Sequence, residues 1–129
     1  MATIKKTLEI AAPIERVWER VADLEGVRNL FAMLADASLD GEVRTCRTVD
    51  GQQLKELIVS CDPELRRLVY AVVDSPFGFD FHAASWQLEP VAGGTRLTWY
   101  TEVKPDGAAA VLEPVIDGEL PNIAAGLAA

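Results

Sequence analysis

The chain predicts an α+β fold in which a seven-stranded antiparallel sheet carries helices packed on one side. Three observations support this. From Gly41 to Pro105, segments rich in Val, Leu, Thr, Tyr, Phe and Trp alternate with turn signals, the pattern of a meander. The signals are Asp50-Gly51, Asp62-Pro63-Glu64, Ser75-Pro76-Phe77-Gly78 and Ala92-Gly93-Gly94. Stretches with helical apolar spacing stand before and after the meander. Finally, 129 residues, 50% of them hydrophobic, suffice for one globular domain over 1–129 with a core and a cavity.

The elements follow in order. Ile4, Lys6, Leu8 and Ile10 alternate with Thr3, Lys5, Thr7 and Glu9, the period of a first strand over residues 3–10. Pro13 suits the first turn of a helix, where its missing N–H has no partner to lose. Ile14, Val17, Val21 and Leu24 form that helix's apolar stripe, with Trp18 beside it. A second short helix is expected over Leu24 to Met33, then a strand from Leu34 to Asp40 leading into the meander. In the last segment, Ala108 to Ala129, Leu112, Ile116, Leu120, Ile123 and Leu127 make a stripe aimed at the sheet. Pro114 and Pro121 each delete a hydrogen bond there, at about 3 kcal/mol for an interior proline, so a kink or restart is expected.

Composition excludes several functions. A formal charge of −8, from acidic residues scattered along the chain, opposes nucleic-acid binding, and no apolar run has the length for membrane insertion. Cys46 and Cys61 lack metal-ligand spacing and no secretory signal is read, so reduced thiols in a cytoplasmic protein are expected. With one histidine and no calcium-loop pattern, neither a metal nor a cofactor is expected. Asp80, His82 and Ser85 do not form a triad, because Ser85 points to the opposite face of a regular strand.

Several stretches carry a family resemblance. Ala12-Pro13-Ile14-Glu15-Arg16-Val17-Trp18, Gly41-Glu42-Val43-Arg44, Asp50-Gly51 with Lys55-Glu56-Leu57, Asp62 with Arg67-Leu68-Val69-Tyr70, and Gly94-Thr95-Arg96-Leu97-Thr98-Trp99 are its signatures. Over nearly its whole length the chain resembles the START/Bet v 1-like (SRPBCC) superfamily, and within it the polyketide cyclase/dehydrase-like group. The resemblance implies a helix-grip fold, a sheet wrapped against a C-terminal helix with two short N-terminal helices. That superfamily includes cyclases, lipid carriers, hormone receptors and co-chaperones. Two departures stand out: His82 replaces a frequent Tyr, and the closing helix reads as short and proline-broken.

Hairpin geometry locates the interior independently. A four-residue loop at Val91 to Gly94 sets Pro90 opposite Thr95, Leu88 opposite Leu97, Trp86 opposite Trp99 and His82 opposite Val103. Three-residue turns at Asp62 to Glu64 and Ser75 to Phe77 set Glu56 opposite Tyr70 and Tyr70 opposite His82, a row across three strands. The resemblance supports the same phase, since hormone receptors of the superfamily have a cavity-facing carboxylate, aromatic and Tyr at these positions. Arg44 faces inward only if the Asp50-Gly51 turn has three loop residues; spacing leaves this open, and the resemblance favours Arg44.

The expected site is a pocket of at least about a few hundred Å³, the ordinary range for ligand sites. Its ligand-binding candidates are Arg44, Glu56, Tyr70, His82, Trp86, Trp99, Leu112, Ile116 and Leu120. Glu56, Tyr70 and His82 are also the catalytic candidates. A carboxyl group facing an apolar interior needs a ligand or a cation, so a salt bridge to Arg44 or Arg47 is the competing account of Glu56; without one, Glu56→Gln would be tolerated. Two functions compete: binding of an apolar or amphipathic small molecule, and a polyketide cyclase or dehydratase moving protons in the cavity. Phe77 on its turn, near the proline-weakened helix, is the expected entrance. The same register turns Leu57, Val69, Ala71, Val73, Phe79, Phe81 and Ala83 outward as one apolar patch, to be covered by a homodimer or by a loop folded over it, or removed by a β-bulge near Pro76 that turns the two Phe inward.

Overall fold

A computed structural model describes residues 1–129. The chain runs β1 (Ala2–Ile10), α1 (Ile14–Ala22), a 3₁₀ helix (Leu24–Asn29), β2 (Leu34–Asp40), β3 (Val43–Thr48), β4 (Gln53–Asp62), β5 (Arg67–Asp74), β6 (Phe81–Val91), β7 (Gly94–Lys104) and α2 (Ala108–Ala128). The strands form one antiparallel sheet in the order β1-β7-β6-β5-β4-β3-β2. Six of them pair in chain order, and β1 lies beside β7. Gly94 makes that closure possible: a Cβ there would meet the Ile10 carbonyl oxygen at 2.0 Å, so only glycine permits the approach. The neighbouring Thr95 is buried and donates its hydroxyl to the Ala12 carbonyl at 2.8 Å.

The β6–β7 hairpin has the expected register, with Trp86 opposite Trp99 and His82 opposite Val103, although Val91 pairs with Gly94 and the loop is two residues, not four. The expected row of Glu56, Tyr70 and His82 does not form. Tyr70 stands opposite Ile58 and Ala84, and Glu56 opposite Val72. Relative to expectation β5 alone has slid by two residues, which leaves every side chain on its intended face. Two causes combine. The β4–β5 connection spans Pro63 to Arg66, tightened by Asp62, whose Oδ1 accepts from the Glu64 and Leu65 amides at 2.9 and 3.0 Å. That extra loop residue would reverse the faces, but an irregularity between Ile58 and Ser60 restores them. The β5–β6 connection runs from Ser75 to Asp80, twice the expected length.

That longer loop also changes the outer face. Phe79 leaves the strand, stacks on Phe77 at 5.8 Å and turns its ring against His82 at 5.9 Å. The expected outward patch loses it. Leu57, Val69, Ala71 and Ala83 are half-buried, leaving Val73 and Phe81 as the patch's well-exposed members.

The second short helix is a 3₁₀ segment ending at Asn29, shorter than expected. The closing helix spans the expected segment but does not restart at a proline: its 21 residues run unbroken through Pro114 and Pro121. The two prolines are seven residues apart, so both fall on one exposed face two turns apart. The carbonyls they leave free, on Ala110 and Asp117, belong to exposed residues, where lacking an intrahelical partner costs little. The opposite face holds the helix down by burying Ala108, Leu112, Ile116, Glu119, Ile123 and Leu127. α2 packs across β1 and β7 and against α1. At Gly126 a Cβ would sit 2.7 Å from Leu30 Cδ2, so the last turn rests directly on the chain that follows the 3₁₀ helix. Neither helix is long and apolar enough to cross a membrane.

Candidate functional site

Between the inner sheet face and α2 lies a cavity of about 100 Å³, lined by 23 residues of which 17 are hydrophobic. It is smaller than the sequence suggested. The reason is Phe31, on the connection into β2, which packs its ring against Trp86 at 6.0 Å and Trp99 at 5.9 Å. The two indoles themselves are 5.3 Å apart. The exposed lining residues Phe77 and Val115 mark one rim, Arg20 and Asp23 another.

On the sheet side the β3–β4 turn contains three residues, closed by a Thr48 amide donating to the Gln52 carbonyl at 2.8 Å. That parity brings Arg44 and Cys46 inward. Arg44 lies opposite Glu56 and donates from Nε to Glu56 Oε1 at 2.8 Å. Its Nη1 donates to the Leu24 carbonyl at 3.1 Å, and the guanidinium sits 5.5 Å from the Tyr70 ring centroid. The Cys46 thiol donates to the same Glu56 oxygen at 3.5 Å. Glu56 is therefore the salt-bridged carboxylate of the two accounts above. Its cation is Arg44, since Arg47 instead pairs with Asp36 at the exposed sheet edge.

The environment moves several groups away from reactivity. Burial, with the Glu56 charge adding to it, pushes the Cys46 thiol up to about 12. The same two causes raise the Tyr70 phenol well above its ordinary value. Burial lowers His82 to about 4, because the protonated ring is poorly solvated in this wall.

On the helix side the lining residues are Leu112, Val115, Ile116 and Glu119. Leu120 is not among them; it packs against the hydrophobic core, as does the fully buried Ile123. Glu119 escaped the sequence reading, although it stands seven residues after Leu112 and three after Ile116, on the same stripe. A buried acid on an apolar helical stripe was the available signal. Its Oε2 has no hydrogen-bond partner, and neither have Trp86 Nε1 and Trp99 Nε1. Of the sequence candidates, Arg44, Glu56, Tyr70, His82, Trp86, Trp99, Leu112 and Ile116 come together around the cavity.

Chemically this arrangement offers an apolar enclosure, one internally neutralised ion pair and a few polar atoms. Solved structures share the fold. A protein from Bacillus thuringiensis superimposes with a TM-score of 0.87 at 17% identity, over 98% of both chains. The protein XoxI from Bacillus cereus gives 0.85 at 19% identity, over 99% of this chain and 94% of that one. The di-domain ARO/CYC BexL from the BE-7585A biosynthetic pathway gives 0.79 at 17% identity, covering 99% of this chain and 45% of BexL. At these identities the likeness concerns the fold. No curated protein matches the sequence. The family model described as polyketide cyclase / dehydrase and lipid transport matches residues 1–129, and the chain belongs to that family.

Proposed function

We propose that this protein binds an apolar or amphipathic small molecule, such as a lipid, polyketide or aromatic metabolite, in the cavity between sheet and α2. The observation that carries the proposal is an enclosure with a mostly hydrophobic lining and a small number of buried polar groups, the usual anatomy of a small-molecule site. Phe31, Trp86 and Trp99 supply aromatic surface for the ligand's body. Entry past Phe77 and Val115 would need only local motion, since both are exposed at the rim. The free cysteines accord with a reducing, cytoplasmic setting.

A cyclase or dehydratase using Glu56, Tyr70 or His82 has less support. Proton transfer is most efficient from a group whose pKa lies near the working pH. His82 is lowered to about 4, Tyr70 is raised, and Glu56 is occupied by Arg44.

Native mass spectrometry of freshly purified protein tests the proposal. A small-molecule adduct is expected, and Leu112→Trp, which fills the cavity from α2, is expected to lose it. Protein free of any adduct, which also takes up no apolar probe when soaked, would count against the binding reading.

A further inference from the structure

The buried polar atoms without partners are not scattered. Every buried side-chain nitrogen or oxygen that lacks a hydrogen bond in this protein belongs to one of three residues: Trp86, Trp99 and Glu119. All three line the one cavity. Native folds leave few such groups, and each calls for a reason. The sheet wall of the same cavity shows the contrast, for there the buried charges are paired: Arg44 reaches Glu56, the Leu24 carbonyl and the Tyr70 ring.

Their chemistry is complementary. Each indole N–H is a donor in search of an acceptor, and the Glu119 oxygen is an acceptor in search of a donor. A hydroxyl group is both at once. We infer that Trp86, Trp99 and Glu119 form a polar subsite that anchors the hydroxyl of an uncharged ligand, its oxygen accepting from the indoles and its proton donated to Glu119. The inference rests on the cavity being a ligand site and adds to it the polarity of the ligand's buried end. The three atoms are covered in the free protein, so the ring of Phe31, packed on both indoles, is the side chain that yields on entry.

A ligand carboxylate fits the same place poorly. Two carboxyl groups brought together cannot both ionise without mutual repulsion. The buried cation that could offset it, Arg44, is already held by Glu56. The subsite therefore selects alcohols and phenols over fatty or aromatic acids of the same shape.

The test titrates ¹⁵N-labelled full-length protein at neutral pH with 4-ethylphenol, 4-ethyltoluene and 4-ethylbenzoate, following the three indole N–H signals. Trp18, which does not line the cavity, is the internal control. We expect 4-ethylphenol to shift Trp86 and Trp99 downfield, to leave Trp18 in place, and to bind about tenfold more tightly than either analogue, the factor given by one net hydrogen bond. Glu119→Gln should weaken the phenol and shrink its preference over the benzoate. If phenol and toluene bind equally with unmoved indole signals, the polar subsite is wrong and the cavity reading survives. Tighter binding of the benzoate would also overturn the subsite. If none of the three binds, the cavity reading fails and the subsite with it.

Discussion

The two walls of the cavity each bury a glutamate, and the two differ in company. On the sheet wall Glu56 sits opposite Arg44 across a strand pair, accepts its Nε at 2.8 Å and also accepts the Cys46 thiol. On the helix wall Glu119 is just as deeply buried, yet one of its oxygens has no partner. The same side chain thus serves two ends. A sheet places a cross-strand neighbour within reach at each position, so a buried charge there is readily paired. A helix facing an empty space has no such neighbour, and a polar group on it stays unmet until something else arrives.

The sharpest way to break this comparison is one substitution at both positions. Glu56→Leu leaves the Arg44 charge buried and unpaired, and is expected to destabilise the fold by about 3–5 kcal/mol in urea denaturation. Combining it with Arg44→Met should return stability to within about 1 kcal/mol of wild type, because a buried pair repays little more than its own desolvation. A small effect from Glu56→Leu alone would mean that Arg44 reaches water and the sheet wall is not closed.

His82 offers the next largest effect, on the sheet wall but without a charged partner. Its pKa is lowered from 6.5 to about 4 by burial. Between those values the unfolded chain binds the proton and the folded chain does not, so stability is full above about pH 6.5 and declines as pH falls. The decline ends near the folded pKa, after a loss on the order of 3 kcal/mol. His82→Leu should remove this part of the pH dependence. As the only histidine, its ring signal in an NMR titration reports the folded pKa directly; a midpoint near 6.5 would show the ring to be solvated.

Glu119→Leu should give the smallest change, with the opposite sign to Glu56→Leu. Replacing an unpartnered buried polar group by an apolar one is expected to stabilise by about 1 kcal/mol. The same denaturation series measures it. A loss as large as that of Glu56→Leu would erase the contrast between the two walls.

The fold was legible in large part because its signals are local. The β6–β7 hairpin shows this: Gly93-Gly94 and flanking alternation locate the centre of the turn, and that centre specifies the register whether the loop has the four residues expected or the two observed. At Asp62 and Ser75 the same reasoning miscounted. Asp62 caps a longer turn than its Asp-Pro-Glu suggested, and Phe79 prefers the half-buried contact with His82 to a place in the outer strand face. The site was legible to the extent that faces survived the two-residue slide, which carried Glu56, Tyr70 and His82 to the cavity without their expected row.

The sequence by itself determined the order of the elements, the inward phase of most strands and the apolar stripe of α2, because periodicity of 2 or 3.6 is written in adjacent residues. Tertiary structure alone decided which glutamate finds a cation, how far Phe31 fills the cavity, and whether two prolines break a helix. Each of those depends on distances between residues remote in the chain: Arg44 to Glu56 across a hairpin, Phe31 to the indoles of β6 and β7, and the buried face of α2 to the sheet that holds it. Partner identity and free volume exist only once the elements have packed, so no local pattern encodes them.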